Sequence, residues 1–242
     1  MTTRVAMWSG PRNISTAMMR SFGGRSDCAV SDEPFYGAYL KTSGQRQPMA
    51  DEIIASMDCD WQSVADSMRG PVPGGKPVWY QKHMPHHMVA DVSIDDFPDH
   101  RHAFLIRDPE RVVASYAVKR VEVAADDLGF ARQLEYADRV AQMTGKAPVV
   151  LDSADILRDP EAHLRALCAA LDIPWDAGML SWQSGQRDTD GIWASHWYGR
   201  VIETTEFGVA ESAMIKLGKS GQAIADQCRD AYAQLSEMRI RL

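Results

Sequence analysis

Cysteine is scarce in this chain of 242 residues, and its four copies, Cys28, Cys59, Cys168 and Cys228, form no C-x-x-C pair. That scatter argues against a disulfide framework or a zinc knuckle and suits a reducing compartment. Long apolar runs are missing too: no stretch approaches membrane-spanning length, and Met1-Thr2-Thr3-Arg4 leads straight into a strand pattern with no signal-peptide core. The expectation is a cytoplasmic protein with no membrane partner. Basic charge is not in excess either, since 26 Lys and Arg stand against 33 Asp and Glu, a net charge of −7. A general nucleic-acid partner is therefore not expected, although a local cluster of Arg and Lys can still hold an anionic small ligand.

What is present is a chain that is 45% hydrophobic and 24% charged, long enough for one well-cored domain. No linker divides it, and a single domain over residues 1–242 is expected. Short apolar runs at Val5–Trp8, Cys28–Ser31, Pro77–Lys82, Arg101–Ile106 and Pro148–Asp152 read as strands. Helical patterns lie between them, near 51–57, 62–68, 110–123 and 159–171. The alternation implies an α/β fold of three layers, with a mainly parallel central sheet flanked by helices.

The organising stretch is Val5 to Arg20, a strand, a tight turn at Gly10-Pro11, and a helix start at Ser15-Thr16. Unpaired N–H groups at a helix N-terminus and the helix dipole make an anion site, to which Arg12 adds a forked donor. An ordinary strand-to-helix connection is the bland reading of the same residues. A Walker loop requires G-x-x-x-x-G-K-[ST], and counted from Gly10 the chain has no Lys at that place. A kinase or NTP hydrolase is thereby disfavoured, with Asp152 at the end of an apolar strand as the residue that keeps it in view.

Three further candidates sit where strands of a parallel sheet end, the usual place for ligands. Glu33, Phe35 and Tyr36 follow the second strand as a pocket wall, although aromatics there are also ordinary packing residues. His83 closes the third strand, as a general base or as a plain hydrogen-bonded histidine. His83, His86 and His87 lack the further ligands a metal would need. Arg107 ends the fourth strand, and Ser115 lies eight residues on, so that a guanidinium and a helix hydroxyl can grip one phosphate. A salt bridge from Arg107 to Asp108 or Glu110 is the alternative. The Trp-rich stretch 175–199, with Trp182, Trp193, Trp197 and Tyr198, has no clear period and suits a lid or acceptor pocket as well as core packing.

In motif order, residues 5–116 resemble the sulfotransferases that use 3′-phosphoadenosine 5′-phosphosulfate, PAPS. The family's Pro-Lys/Arg-Ser-Gly-Thr-Thr loop is similar to Pro11-Arg12-Asn13-Ile14-Ser15-Thr16, its Lys-Thr-His-Leu-Pro to Gln81-Lys82-His83-Met84-Pro85, and its Arg-(x)7-Ser to the run from Arg107 to Ser115. The resemblance implies a P-loop-like fold and metal-free in-line transfer to a small-molecule acceptor, with 3′,5′-ADP as the product. It implies donor contacts at Gly10, Pro11, Arg12, Asn13, Ile14, Ser15 and Thr16 around the 5′ end, and at Arg107 and Ser115 around the 3′-phosphate. His83 would be the base and Arg12 would stabilise the leaving oxygen. Lys216 to Gly221 resembles the basic glycine loop that closes over the 3′-phosphate, giving Lys216 and Gly218. Glu33, Phe35, Tyr36, Trp193 and Trp197 would meet the acceptor, whose identity and the oligomeric state stay open. Asn13-Ile14 stands where Ser-Gly is usual; a β-branched residue resists φ > 0, so a differently shaped loop is expected. A non-catalytic protein that has kept such a pocket is a third reading.

Overall fold

The computed structural model describes residues 2–120, 123–210, 212 and 214–242. In chain order it contains β1 (Thr3–Ser9), α1 (Ser15–Gly23), β2 (Cys28–Asp32), α2 (Tyr36–Ser43), α3 (Ala50–Ser56), α4 (Trp61–Arg69), β3 (Val78–His83), β4 (Arg101–Ile106), α5 (Pro109–Ala117), α6 (Ala125–Leu128), α7 (Phe130–Thr144), β5 (Val149–Asp152), α8 (Ser153–Arg158), α9 (Pro160–Ala170), α10 (Ala194–Trp197), α11 (Gly199–Ile202) and α12 (Lys219–Glu237). The five strands form one all-parallel sheet of order β2-β3-β1-β4-β5. Each expected strand is present. The helix expected over 110–123 ends at Ala117, and positions 121 and 122 lie outside the described residues.

Strand alternation sorts the core into two faces. Val5, Met7, Tyr80, Leu105 and Leu151 meet α1 through Met18, Met19 and Phe22, and α9 through Leu164 and Leu167. Ala6, Trp8, Trp79, Phe104 and Ile106 face the other way, against α4 and α7 through Val64, Met68, Tyr136 and Val140. A smaller cluster joins Val112, Val113 and Tyr116 of α5 to Ala225 and Cys228 of α12.

Strand order also fixes where a ligand can sit. The chain runs from β1 towards β2 on one side and later crosses to β4 on the other, so the connections after β1 and β4 diverge and open a crevice at the carboxyl ends of these neighbours. No helix among the described residues is long and apolar enough to cross a membrane.

Candidate active site

The loop after β1 is shaped by close backbone approach. A Cβ on Gly10 would stand 2.4 Å from the Leu128 carbonyl oxygen, so only glycine fits there unless α6 moves. Arg12 and Ile14 both adopt left-handed backbone, with φ of 63° and 57°. Ile14 thus takes the conformation its branched side chain disfavours. Asn13 between them donates from Nδ2 to the Leu105 carbonyl at 3.1 Å, and Ile14 packs against the core, which together hold the turn. No side chain caps α1, leaving the N–H groups of its first turn for another partner.

The loop after β4 closes onto this turn. Asp108 accepts from the backbone N–H groups of Glu110 at 2.9 Å and Arg111 at 3.2 Å, starting α5 behind Pro109. Arg107 reaches back, and its Nη1 donates to the Arg12 carbonyl. Arg12 Nε donates to Ser115 Oγ at 2.9 Å, and its Nη1 to the Trp197 carbonyl at 3.4 Å. Burial lowers the pKa of the Arg12 guanidinium, and the like charges of Arg107 and Arg200 lower it further.

A second cluster fills the ends of β2 and β3. Asp32 and Lys82 are register partners, and Lys82 Nζ donates to Asp32 at 3.0 Å, Glu33 at 2.7 Å and the Tyr198 hydroxyl at 2.6 Å. Tyr198 in turn donates to Asp32 at 2.8 Å, and accepts from Trp193 Nε1 at 3.1 Å. Burial opposes the Lys82 charge, yet its two carboxylates hold its pKa above the ordinary value. Burial raises the pKa of Glu33, with Lys82 pulling against it. Glu33 also carries a left-handed φ of 44° and keeps 9% of its side chain exposed, against 1% for Lys82.

His83 points to the opposite face of β3. Its side chain is sealed, the residue being 1% exposed, and it stacks on Trp8 at 4.7 Å between ring centroids. Nε2 meets Gln81 Oε1 at 3.2 Å, while Nδ1 is buried without a partner. Burial, then the neighbouring His100 and His102, push its pKa well below the ordinary value, so the ring is neutral.

The other expected residues divide. Ser15 and Thr16 stand in the buried first turn of α1. Phe35 is turned into the core beside Trp61, and Tyr36 stacks on His87 while donating to Gln47. Trp193 is buried in the Tyr198 cluster, whereas Trp197 touches the loop after β1 through its carbonyl. Lys216 and Gly218 are exposed just before α12, and Gly221 packs close to Val113 of α5. Asp152 caps α8 through the Ala154 N–H at 2.8 Å and accepts from Tyr232 at 2.7 Å, so its oxygens serve the fold. Among the described residues no three His, Cys, Asp or Glu side chains gather as metal ligands.

The sequence pattern of the family described as "Sulfotransferase domain" matches residues 3–227. The chain belongs to the sulfotransferase family. In fold this sulfotransferase is similar to the sulfotransferase from Alicyclobacillus acidocaldarius, with a TM-score of 0.56 at 13% identity, covering 98% of this chain and 96% of that one. It is likewise similar to the sulfotransferase domain from the curacin biosynthetic pathway, with a TM-score of 0.51 at 13% identity, covering 95% and 98%. Two curated relatives from Arabidopsis thaliana share more sequence. Branched-chain-amino-acid aminotransferase-like protein 2 is 34% identical over 226 residues, which is 93% of this chain and 40% of that protein. Protein 1 of the same name is 36% identical over 201 residues, 83% of this chain and 36% of that protein. This sulfotransferase therefore spans about two fifths of the length of these relatives or less.

Sequence reasoning missed the Lys82–Asp32 pairing, and it did not foresee the charge of Arg200 acting on Arg12. A usable signal existed for the first pair: a lysine inside the apolar run Val78-Trp79-Tyr80-Gln81-Lys82 needs a buried acid, and Asp32-Glu33 ends the only other strand that runs into carboxylates with no helix pattern at once behind it.

Proposed function

We propose that this sulfotransferase moves a sulfuryl group from PAPS to a hydroxyl or amine of a small-molecule acceptor, releasing 3′,5′-ADP. The observation that carries this reading is the meeting of the two anion-binding motifs, Arg107 on the Arg12 carbonyl and Arg12 on Ser115, beside an uncapped helix N-terminus. Those groups fit a ligand with two anionic ends: the loop 10–16 for the phosphosulfate, Arg107 and Ser115 for the 3′-phosphate, with Lys216 and Gly218 at the rim. PAPS supplies the activated sulfuryl group, and the residues here hold it in line and stabilise the charge left on the 5′-phosphate oxygen through Arg12 and the N–H groups of 13–16.

For the base, Glu33 is better supplied by its surroundings than the expected His83. One Glu33 oxygen is fixed by Lys82, the residue is strained, and its side chain is the most exposed of the charged side chains in its cluster. The acceptor proton passes to the Glu33 carboxylate as the acceptor–sulfur bond forms and the sulfur–oxygen bond to the 5′-phosphate breaks, its electron pair leaving with 3′,5′-ADP. Calorimetry with 3′,5′-ADP against ATP and GTP tests the donor, and an acceptor screen with labelled PAPS tests transfer. Binding of ATP with magnesium-dependent turnover and no affinity for 3′,5′-ADP would overturn the reading.

A further inference from the structure

A bis-phosphorylated adenosine carries about three to four negative charges at neutral pH, each phosphate monoester holding roughly 1.5–2. The two motif arginines and the α1 dipole compensate only part of that charge, and Lys216 stands at the exposed rim. Arg200 supplies a third guanidinium whose like charge is felt at Arg12. α10 lies against the loop after β1 through the Trp197 carbonyl, 3.4 Å from Arg12 Nη1, and Arg200 follows Trp197 by three residues in α11. Arg200 is therefore three residues along the chain from the point of contact with Arg12.

The position of that turn is fixed from within. Tyr198, between the two short helices, is held by Lys82 at 2.6 Å and by Asp32 at 2.8 Å, and Lys119 donates to the His196 carbonyl at 3.2 Å. Arg200 itself is exposed and has no acidic partner among the described residues. Its charge is felt at Arg12, where the like charges of Arg107 and Arg200 act together. An uncompensated cation of this kind, beside two others, is costly in the free protein and favourable once an anion arrives.

We infer that Arg200 is a donor-binding residue: α11 presents its guanidinium to the phosphates of the bound nucleotide, beside Arg12 and Arg107. The inference rests on the PAPS reading above and adds to it a residue outside all three motifs. It also means that the segment anchored through Tyr198 on Lys82 and Asp32 grips the nucleotide.

Isothermal titration of 3′,5′-ADP into the unchanged chain and into Arg200→Ala, Arg200→Lys and Arg241→Ala tests this. Arg241 is exposed near the end of the chain and controls for overall charge. Loss of one charge-assisted contact should weaken binding about 10-fold in Arg200→Ala, with partial recovery in Arg200→Lys and none of the loss in Arg241→Ala. Thermal unfolding should be unchanged in all three, because neither arginine is buried. Binding to the unchanged chain with equal affinity in Arg200→Ala overturns the inference alone, as does an equal loss in Arg241→Ala. Absence of binding to the unchanged chain overturns the donor reading and the inference with it.

Discussion

Arg12 Nε donates to Ser115 Oγ at 2.9 Å, joining two motifs that lie 103 residues apart. Each of these groups satisfies the other, so a phosphate held by Ser115 would compete with that bond. Ser115→Ala should weaken 3′,5′-ADP binding about 10-fold, as expected for a hydrogen bond to a charged group, and leave 5′-AMP binding unchanged. Titration calorimetry with the two nucleotides checks it; an equal loss for both would place Ser115 away from the 3′-phosphate.

The base assignment separates through two conservative variants. Glu33→Gln should lower turnover by about 10²–10⁴, with 3′,5′-ADP affinity retained, while His83→Asn keeps turnover. The reverse pattern returns the role to the imidazole. The pH dependence carries the same information. Burial raises the Glu33 pKa, and the base must be ionised, so the acid limb of the rate profile should fall at a higher pH than an ordinary glutamate gives.

Among the described residues, Lys82 is the single cation paired with Asp32 and Glu33 in that buried cluster. Lys82→Met leaves both carboxylates without their cation and should destabilise the fold by about 3–5 kcal/mol in urea unfolding. A loss below about 1 kcal/mol, the range of exposed ion pairs, would mean that water reaches the cluster freely.

Acid should act through the buried imidazoles. Burial lowers the pKa of His86 and His100 to about 3 and that of His102 to about 4. All three stay neutral in the folded chain while the unfolded chain protonates near 6.5, so the unfolded state binds more protons below that pH. Stability is then complete above about pH 6.5 and falls as the pH drops towards 4, by about 1.4 kcal/mol per unit for each histidine. Denaturant melts at pH 7, 6 and 5 read the slope, and His102→Gln should flatten it.

Gly10→Ala drives a methyl group into the Leu128 carbonyl. A loss of about 1–3 kcal/mol is expected, together with weaker 3′,5′-ADP binding, because the turn that holds Arg12 must shift. Unchanged stability would show that α6 yields without resistance.

The strands were legible because each is a short apolar run stopped by proline, glycine or charge, and the start of α5 was legible because Asp108-Pro109 is a helix-opening pair. The loop after β1 was legible as a strand-turn-helix connection but not in its backbone, since Asn13 reaching the Leu105 carbonyl depends on β1 and β4 being neighbours. His83 was placed correctly at a strand end. Its direction was not readable, because adjacent residues on a strand face opposite sides and only the packing of α1 decides which side is which. The Lys82–Asp32–Tyr198 cluster needed both the β2–β3 register and the return of the chain 116 residues beyond Lys82.

Residues 190–198 are tied at both ends, by the buried Arg20–Asp190 pair at 2.6 Å on α1 and by Tyr198 on the Lys82 cluster. A length of chain moored in this way cannot be swapped for another as a free cassette. Grafting another sequence into this stretch would have to carry Arg20, Asp32 and Lys82 along with it, so segment and framework here diverge together or not at all.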